Sequence, residues 1–288
     1  MNKPAGITSA DVVRVLKRKM NPSKIGHAGT LDPDATGLIP LALGEATKSI
    51  PYLLKSKKKY EATFLYGLKT ATDDATGKTL KASSYVPKES EILEALKYYS
   101  EVIFQMPPKV SAVKVRGKRA YERFKANENF QLPARYIDVY KLSLQSYIEG
   151  GETLVHFECG KGGYVRSIAR DIGDYLGCFG YVQNLNRIEY GPFRAQDADE
   201  LSNLLNLSTE NLKSNIKAIE IGIPGLKIFE CHLNDLKHLE NGRPIKCPIT
   251  FDTGEGEELI AKYKGRFVGV LFREGVFLKV KRKFNTEN

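Results

Sequence analysis

The sequence predicts an α+β chain in two parts, and three observations carry that expectation. Amphipathic helical stretches stand among strand-like runs through the first 222 residues, with no fixed-period repeat and no low-complexity tract. Beyond Ile223-Pro224-Gly225 the pattern changes to short β-like runs separated by Gly-containing turns. The length of 288 residues corresponds to about two domains at roughly 150 residues each. The expected division is 1–222 and 223–288.

Thr8-Ser9-Ala10-Asp11 reads as a helix-capping signal, followed by an apolar stripe of Val12, Val13 and Leu16. Arg14, Lys17, Arg18 and Lys19 give this helix a basic face, and Asn21-Pro22 ends it. Residues 23–47 are punctuated by Gly and Pro and read as loop, turn and short strand. Tyr60–Leu68 predicts a strand. Glu89–Tyr99 has helical spacing through Ile92, Leu93, Leu96 and Tyr99. After Gln105-Met106-Pro107-Pro108 comes a basic segment, and a strand pair is expected at 136–147 and 153–159. Gly160-Lys161-Gly162-Gly163 leads into a helix from Tyr164 to Leu176, whose apolar face is Val165, Ile168, Ala169, Ile172 and Leu176. That glycine loop matches neither the Walker A pattern nor the dinucleotide fingerprint, which argues against a nucleotide cofactor. In the tail, β runs are expected at 259–263, 267–272 and 276–280.

Hydrophobic residues make up 42% and charged residues 27%, an ordinary globular balance. The 44 Lys+Arg against 34 Asp+Glu leave a net charge of +10, which favours an anionic partner, nucleic acid or membrane surface. Residues 223–288 carry 12 Lys+Arg against 9 Asp+Glu, so both parts are basic. No run approaches the roughly 18 apolar residues of a membrane span. Met1-Asn2-Lys3-Pro4-Ala5-Gly6 has no apolar signal core. Cys159, Cys178, Cys231 and Cys247 form no Cys-x-x-Cys pair, which suits free thiols in a reducing compartment and points to the cytoplasm. Cys231, His232, His238 and Cys247 fit no zinc spacing, so no metal is expected.

The informative stretch is Gly26-His27-Ala28-Gly29-Thr30-Leu31-Asp32-Pro33-Asp34-Ala35-Thr36-Gly37. Glycines on both sides of an Asp-Pro turn would hold Asp32 in a fixed, accessible loop, although an Asp before Pro, taken alone, is an ordinary turn former. His27, Tyr60 and Tyr164 are likewise ordinary in isolation. The segment 109–125 carries Lys109, Lys114, Arg116, Lys118, Arg119, Arg123 and Lys125, interleaved with Tyr121 and Phe124. Cations bind phosphate without sequence preference and aromatics stack on exposed bases, which favours RNA contact.

Together, Lys3-Pro4-x-Gly6, the Gly26–Gly37 stretch and Leu43-Gly44-Glu45-Ala46-Thr47-Lys48 resemble the TruB family of tRNA pseudouridine synthases. Lys59-Tyr60-Glu61-Ala62, Pro107-Pro108-x-x-Ser111-Ala112-x-Lys114 and Cys159-x-Lys161-Gly162-x-Tyr164-Val165-Arg166-Ser167 follow in the family's order. The resemblance implies a catalytic domain with a mixed, largely antiparallel sheet flanked by helices and loops. It also implies a small C-terminal PUA-like β-barrel that binds RNA. Asp32 is then the catalytic aspartate, whereas Asp34 occupies a variable position. Tyr60 would pack on the target base, Arg166 would pair with Asp32, and His27 would brace the distorted RNA loop. Tyr164 and Leu185 would line the uridine pocket. Residues 107–136 would form a thumb that closes on the RNA, with Lys114, Arg116, Lys118 and Arg119 as contacts.

The chain departs from the family pattern in three places. Only Met1 and Asn2 precede Lys3, where the family has an apolar strand. Leu185-Asn186-Arg187 stands where Leu-Arg-Arg is common, and the segment just before residue 222 matches poorly.

The implied reaction is the isomerisation of the uridine at position 55, in the tRNA T-arm loop, by a monomer without guide RNA. It exchanges the C1′–N1 bond for C1′–C5, so nothing enters or leaves and no cofactor is required. An ionised carboxylate can attack or take a proton. A guanidinium beside it favours the charged form. The base must leave its stack, and a tyrosine ring can replace the lost stacking. The alternatives are a guide-RNA-dependent pseudouridine synthase, disfavoured by the long 107–136 insertion, and a non-catalytic tRNA-binding or tRNA-folding protein.

Overall fold

The structure is a computed structural model and describes residues 1–285. The chain forms two compact units, each built from separated segments. The first comprises Met1–Ser9, Leu31–Ile39 and Lys55–Leu201; the second comprises Ala10–Thr30, Pro40–Leu54 and the chain from Ser202 onward.

In the first unit the strand Lys58–Tyr66 alternates buried and half-exposed positions, the period of a sheet with one covered face. Tyr60, Ala62 and Phe64 point inward with Val155 and Phe157 of Glu152–Cys159. The helix Glu89–Tyr98 covers this face with Ile92, Ala95 and Leu96, and the helix Val165–Tyr175 covers it with Ile168, Ala169 and Ile172. Fully burying each large apolar side chain contributes about 1.5–3 kcal/mol, so this layer of inward residues holds sheet and helices together.

The sheet runs Asn2–Lys3, Thr36–Leu38, Gly180–Tyr190, Lys58–Tyr66, Glu152–Cys159, Arg135–Ile148, Glu101–Gln105, with Phe193–Arg194 added beside Gly180–Tyr190. Its strand pairs are antiparallel except for Thr36–Leu38 with Gly180–Tyr190. The long strand Gly180–Tyr190, which the sequence pattern did not announce, occupies a central place. Its Arg187 stands opposite Gly37 on one side and Tyr60 on the other. Gly37 has φ +99°, and a Cβ there would lie 2.5 Å from the Arg187 carbonyl oxygen, so this close parallel crossing requires glycine.

In the second unit, Ile25–His27 pairs antiparallel with Leu41–Leu43. The tail forms a five-stranded sheet ordered Lys227–Glu230, Glu258–Tyr263, Arg266–Glu274, Phe277–Lys283, Ile245–Lys246. Both faces of this sheet are buried. Leu259, Leu271 and Leu278 pack with Phe229 and Leu239, whereas Ile260, Val270, Phe267 and Phe284 pack with Ile223, Tyr52 and Ile219. A small sheet covered on both faces fits the curled, PUA-like module expected for the tail. Among the described residues, no helix is long and apolar enough to cross a membrane.

Candidate active site

Asp32 sits in a turn closed by the Ala35 N–H donating to the Asp32 carbonyl at 3.2 Å. Both flanks of the turn are tied down. The buried Ser9 hydroxyl accepts from the Leu31 N–H at 2.9 Å and donates to the Leu31 carbonyl at 3.1 Å. The Pro33 carbonyl accepts from the Gly6 N–H at 3.0 Å and from the Lys3 ammonium at 2.7 Å. Lys3, 1% exposed, also donates to the carbonyls of Pro4 and Ile7, and burial lowers its pKa to about 8. The short strand Asn2–Lys3 adjoins this loop and pairs with Leu38 and Gly37.

Arg166, in the first turn of Val165–Tyr175, is 4% exposed and meets Asp32 side-on. Its Nε lies 2.9 Å from Oδ2 and its Nη2 3.1 Å from Oδ1, the bidentate geometry that fits guanidinium to carboxylate. The remaining donors reach the carbonyls of Thr72 at 2.8 Å and Val110 at 2.9 Å, and Nη1 stands 3.4 Å from Asp74. The Asp32 side chain keeps 40% of its surface exposed, so it is held on one side and open on the other. Burial of the turn pushes its carboxyl above the usual carboxylate range; the Arg166 guanidinium opposes this, and Asp74 adds to it. Asp34 is exposed and lies outside this network.

Tyr60 is 7% exposed and stacks on Phe157 with ring centroids 6.4 Å apart. Burial pushes its hydroxyl up to about 12, although a hydrogen bond from Arg187 pulls the other way. At neutral pH Tyr60 therefore offers a neutral ring rather than a base. The Tyr164 backbone is fixed by Gln105, whose buried amide accepts from the Tyr164 N–H at 2.8 Å and donates to its carbonyl at 3.1 Å. Arg135 lies over the Tyr164 ring at 5.6 Å. Leu185 pairs with Ala62 across the sheet and packs partly buried against the core.

Lys114 and Arg119 face each other in a two-stranded hairpin, Lys114–Val115 with Lys118–Arg119. Its turn is Arg116-Gly117, both with positive φ (48° and 85°), the twist that suits a two-residue hairpin. Lys114, Arg116, Lys118 and Arg119 are all exposed. His27 ends the strand Ile25–His27 of the second unit, opposite Leu41. The first unit thus holds Tyr60 and Leu185 on neighbouring strands, Tyr164 and Arg166 at the start of the covering helix, and Asp32 in the turn that Arg166 meets. Asp74 and Gln105 escaped sequence reading as site residues, and Arg187 was read only as part of Leu185-Asn186-Arg187. The Thr70-x-Thr72-x-Asp74-x-Thr76 run was the available sign: Asp74 Oδ1 gathers both the Thr72 and Thr76 hydroxyls at 2.6 Å.

A carboxylate clamped by a buried guanidinium beside a sealed tyrosine can do nucleophilic or proton chemistry on a group that enters from its open side. The surrounding fold is that of pseudouridine synthases. The chain superimposes with a TM-score of 0.75 on "Structure of H/ACA RNP bound to a substrate RNA containing 2'-deoxyuridine", at 22% identity, covering 99% of this chain and 83% of that one. It also superimposes with a TM-score of 0.75 on "Crystal Structure of a Cbf5-Nop10-Gar1 Complex", at 24% identity and with the same coverage.

Residues 17–165 match the TruB family pseudouridylate synthase N-terminal domain, and residues 166–222 match the tRNA pseudouridylate synthase B C-terminal domain. The tRNA pseudouridine synthase B of Ruegeria pomeroyi is 40% identical over 96% of this chain and 91% of the relative. That of Roseobacter denitrificans is 43% identical over 94% and 89%. The chain belongs to the TruB family of pseudouridylate synthases, and it is an isomerase of that class.

Proposed function

We propose that this chain is a stand-alone tRNA pseudouridine synthase acting in the cytoplasm on the uridine-55 position of the T-arm loop. The observation that carries the chemistry is the side-on pairing of Arg166 with a half-open Asp32. Burial raises the cost of charging Asp32, and the guanidinium opposes that rise, so Arg166 favours the ionised form of a half-open carboxylate. In this reading the carboxylate acts on the flipped uridine while C1′–N1 breaks. It keeps the sugar and base together until C1′–C5 forms; the C5 proton then leaves and N1, freed from C1′, takes one up, so composition is unchanged.

Tyr60 supplies the ring that replaces the base's lost stacking partner, and Tyr164 and Leu185 shape the uridine pocket. His27 braces the distorted loop. Lys114, Arg116, Lys118 and Arg119 meet backbone phosphates from the 107–136 insertion. Residues 1–222 then carry the chemistry, whereas the basic, PUA-like tail from 223 onward adds tRNA affinity. The protein works as a monomer with no cofactor, metal or guide RNA.

Incubating the pure protein with an unmodified tRNA transcript and mapping pseudouridine at single-nucleotide resolution tests this reading. Pseudouridine at the T-arm uridine, with no guide RNA present, is the expected outcome. Modification only after a guide RNA is added would overturn it, as would tight tRNA binding with no pseudouridine at any position.

A further inference from the structure

The helix Val165–Tyr175 carries a second inward-turned arginine, Arg170, one turn beyond Arg166 on the same face. Two guanidinium groups, 4% and 14% exposed, are costly to bury unless each is fully engaged. Arg170 is. Its Nη1 donates to Asp73 at 2.9 Å, its Nε to Asp171 at 2.8 Å, and its Nη2 to the Met106 carbonyl at 2.8 Å. Ser167, between the two arginines, donates to the same Met106 carbonyl at 2.8 Å.

The partners of the two arginines interleave. Arg166 takes Thr72, Asp74 and Val110, whereas Arg170 takes Asp73 and Met106. Each therefore binds both the 72–74 loop, Arg166 at two points and Arg170 at one, and the root of the 107–136 insertion. Met106 and Val110 lie on either side of the rigid Pro107-Pro108 pair. Asp73 has φ +60°, a left-handed conformation that a non-glycine residue keeps only when its surroundings hold it there. Its backbone carbonyl accepts from Val182 at 3.2 Å, and Arg170 holds its side chain.

We propose that Arg170 is a positioning residue: it anchors the root of the insertion and the 72–74 loop so that Arg166 can hold Val110 and Asp32 at once. The proposal rests on the functional reading above for what Asp32 does, but not for the anchoring itself. Without Arg170 the Met106 carbonyl loses one of its donors, and the carboxylate of Asp73 loses the cation hydrogen-bonded to it. The Val110 carbonyl can then move relative to Arg166, which turns the guanidinium away from side-on contact with Asp32. A displacement of about an ångström at a reacting group can slow chemistry by about a hundredfold, so a modest shift at the root has a readable effect.

The test combines hydrogen exchange of the RNA-free protein with single-turnover pseudouridine formation at saturating tRNA, for Arg170→Met, Arg170→Lys and Asp73→Asn. Arg170→Met is expected to raise exchange in 106–111 and in 31–35 together and to slow the single-turnover rate by about tenfold or more. Its tRNA dissociation constant should change by less than about threefold, since no phosphate contact is touched. Arg170→Lys, with one ammonium in place of a planar fork, should recover part of the rate, and Asp73→Asn should fall between the two.

Exchange confined to 72–74 with an unchanged rate would overturn the proposal. So would a rate loss that appears only as weaker tRNA binding. If Arg170→Met does not fold, Arg170→Lys decides: wild-type exchange and rate in that variant refute the anchoring role. If the unaltered protein makes no pseudouridine, the functional reading fails. The joint loosening of 106–111 and 31–35 still stands or falls by exchange alone.

Discussion

Arg166 and Arg187 are 4% and 1% exposed, yet the molecule accommodates the two buried cations in opposite ways. Arg166 faces Asp32 and Asp74 and spends its other donors on two carbonyls, beside a carboxylate that stays open to solvent. Arg187, in the middle of the sheet, has neutral groups of its own and neighbouring strands among its partners. Its Nε donates to the Leu38 carbonyl at 2.7 Å, it hydrogen-bonds the Tyr60 hydroxyl, and it lies over the Tyr190 ring at 4.9 Å. Lys58 sits against the same ring at 4.6 Å, and burial lowers its pKa to about 8. A cation set among sheet groups holds strands in place; a cation set against a half-open carboxylate opposes the rise that burial gives its pKa.

The largest effect expected is at the open carboxylate. Asp32→Asn should abolish pseudouridine formation, by at least about a thousandfold or about 4 kcal/mol of transition-state stabilisation, while tRNA binding and the melting temperature hold. Asp34→Asn should retain substantial activity. An active Asp32→Asn alongside an inactive Asp34→Asn would reverse the assignment.

Next comes its partner. Arg166→Met should slow single turnover by more than about tenfold, and Arg166→Lys by less. The pH dependence sharpens this. Burial already raises the Asp32 pKa, and the guanidinium is what opposes that rise. Its removal must raise the pKa further. The acid limb of the pH–rate profile should therefore move to higher pH, with part of the missing rate recovered as pH rises. A limb that stays in place would show that Arg166 does not set the ionisation of Asp32.

Arg187→Met probes the sealed side of the comparison. Leaving the Leu38 carbonyl without a donor costs about 1–3 kcal/mol, so melting should fall by several degrees. The rate well below the melt should change less than in Arg166→Met. A stable Arg187→Met with a collapsed rate would erase the distinction between the two arginines.

The smallest effect belongs to the exposed hairpin. Replacing Lys114, Arg116, Lys118 and Arg119 by Ala should leave chemistry at saturating tRNA nearly intact. The log–log salt slope of binding should flatten by about 0.7–0.9 for each phosphate left without its cation. An unchanged slope would remove these four from the RNA-binding surface.

Several parts of this architecture were legible before folding. The helix faces of 89–99 and 164–176, the strand pair at 136–147 and 153–159, and the Asp32 turn each rest on local spacing, and each appears within a residue or two. Gly180–Tyr190 was not legible. Gln183, Asn184, Asn186 and Glu189 break its alternation, and register shifts between Val182 and Asn184 and between Arg187 and Glu189 rephase it against Lys58–Tyr66. A pattern search with a fixed period of two sees no strand there.

By itself the sequence determined several of the helix, strand and turn segments, that the chain would be basic, and that an aspartate would be framed by glycines. Those are consequences of neighbours a few residues apart. Only the tertiary structure decided that Arg166 closes on Asp32, 134 residues away, and that Arg170 ties Asp73 to Met106 beside it. It also decided that Arg187 would stand between Gly37 and Tyr60. Sheet order and register bring those groups together, and the balance between the cost of burying a charge and the partners that compensate it selects their final geometry.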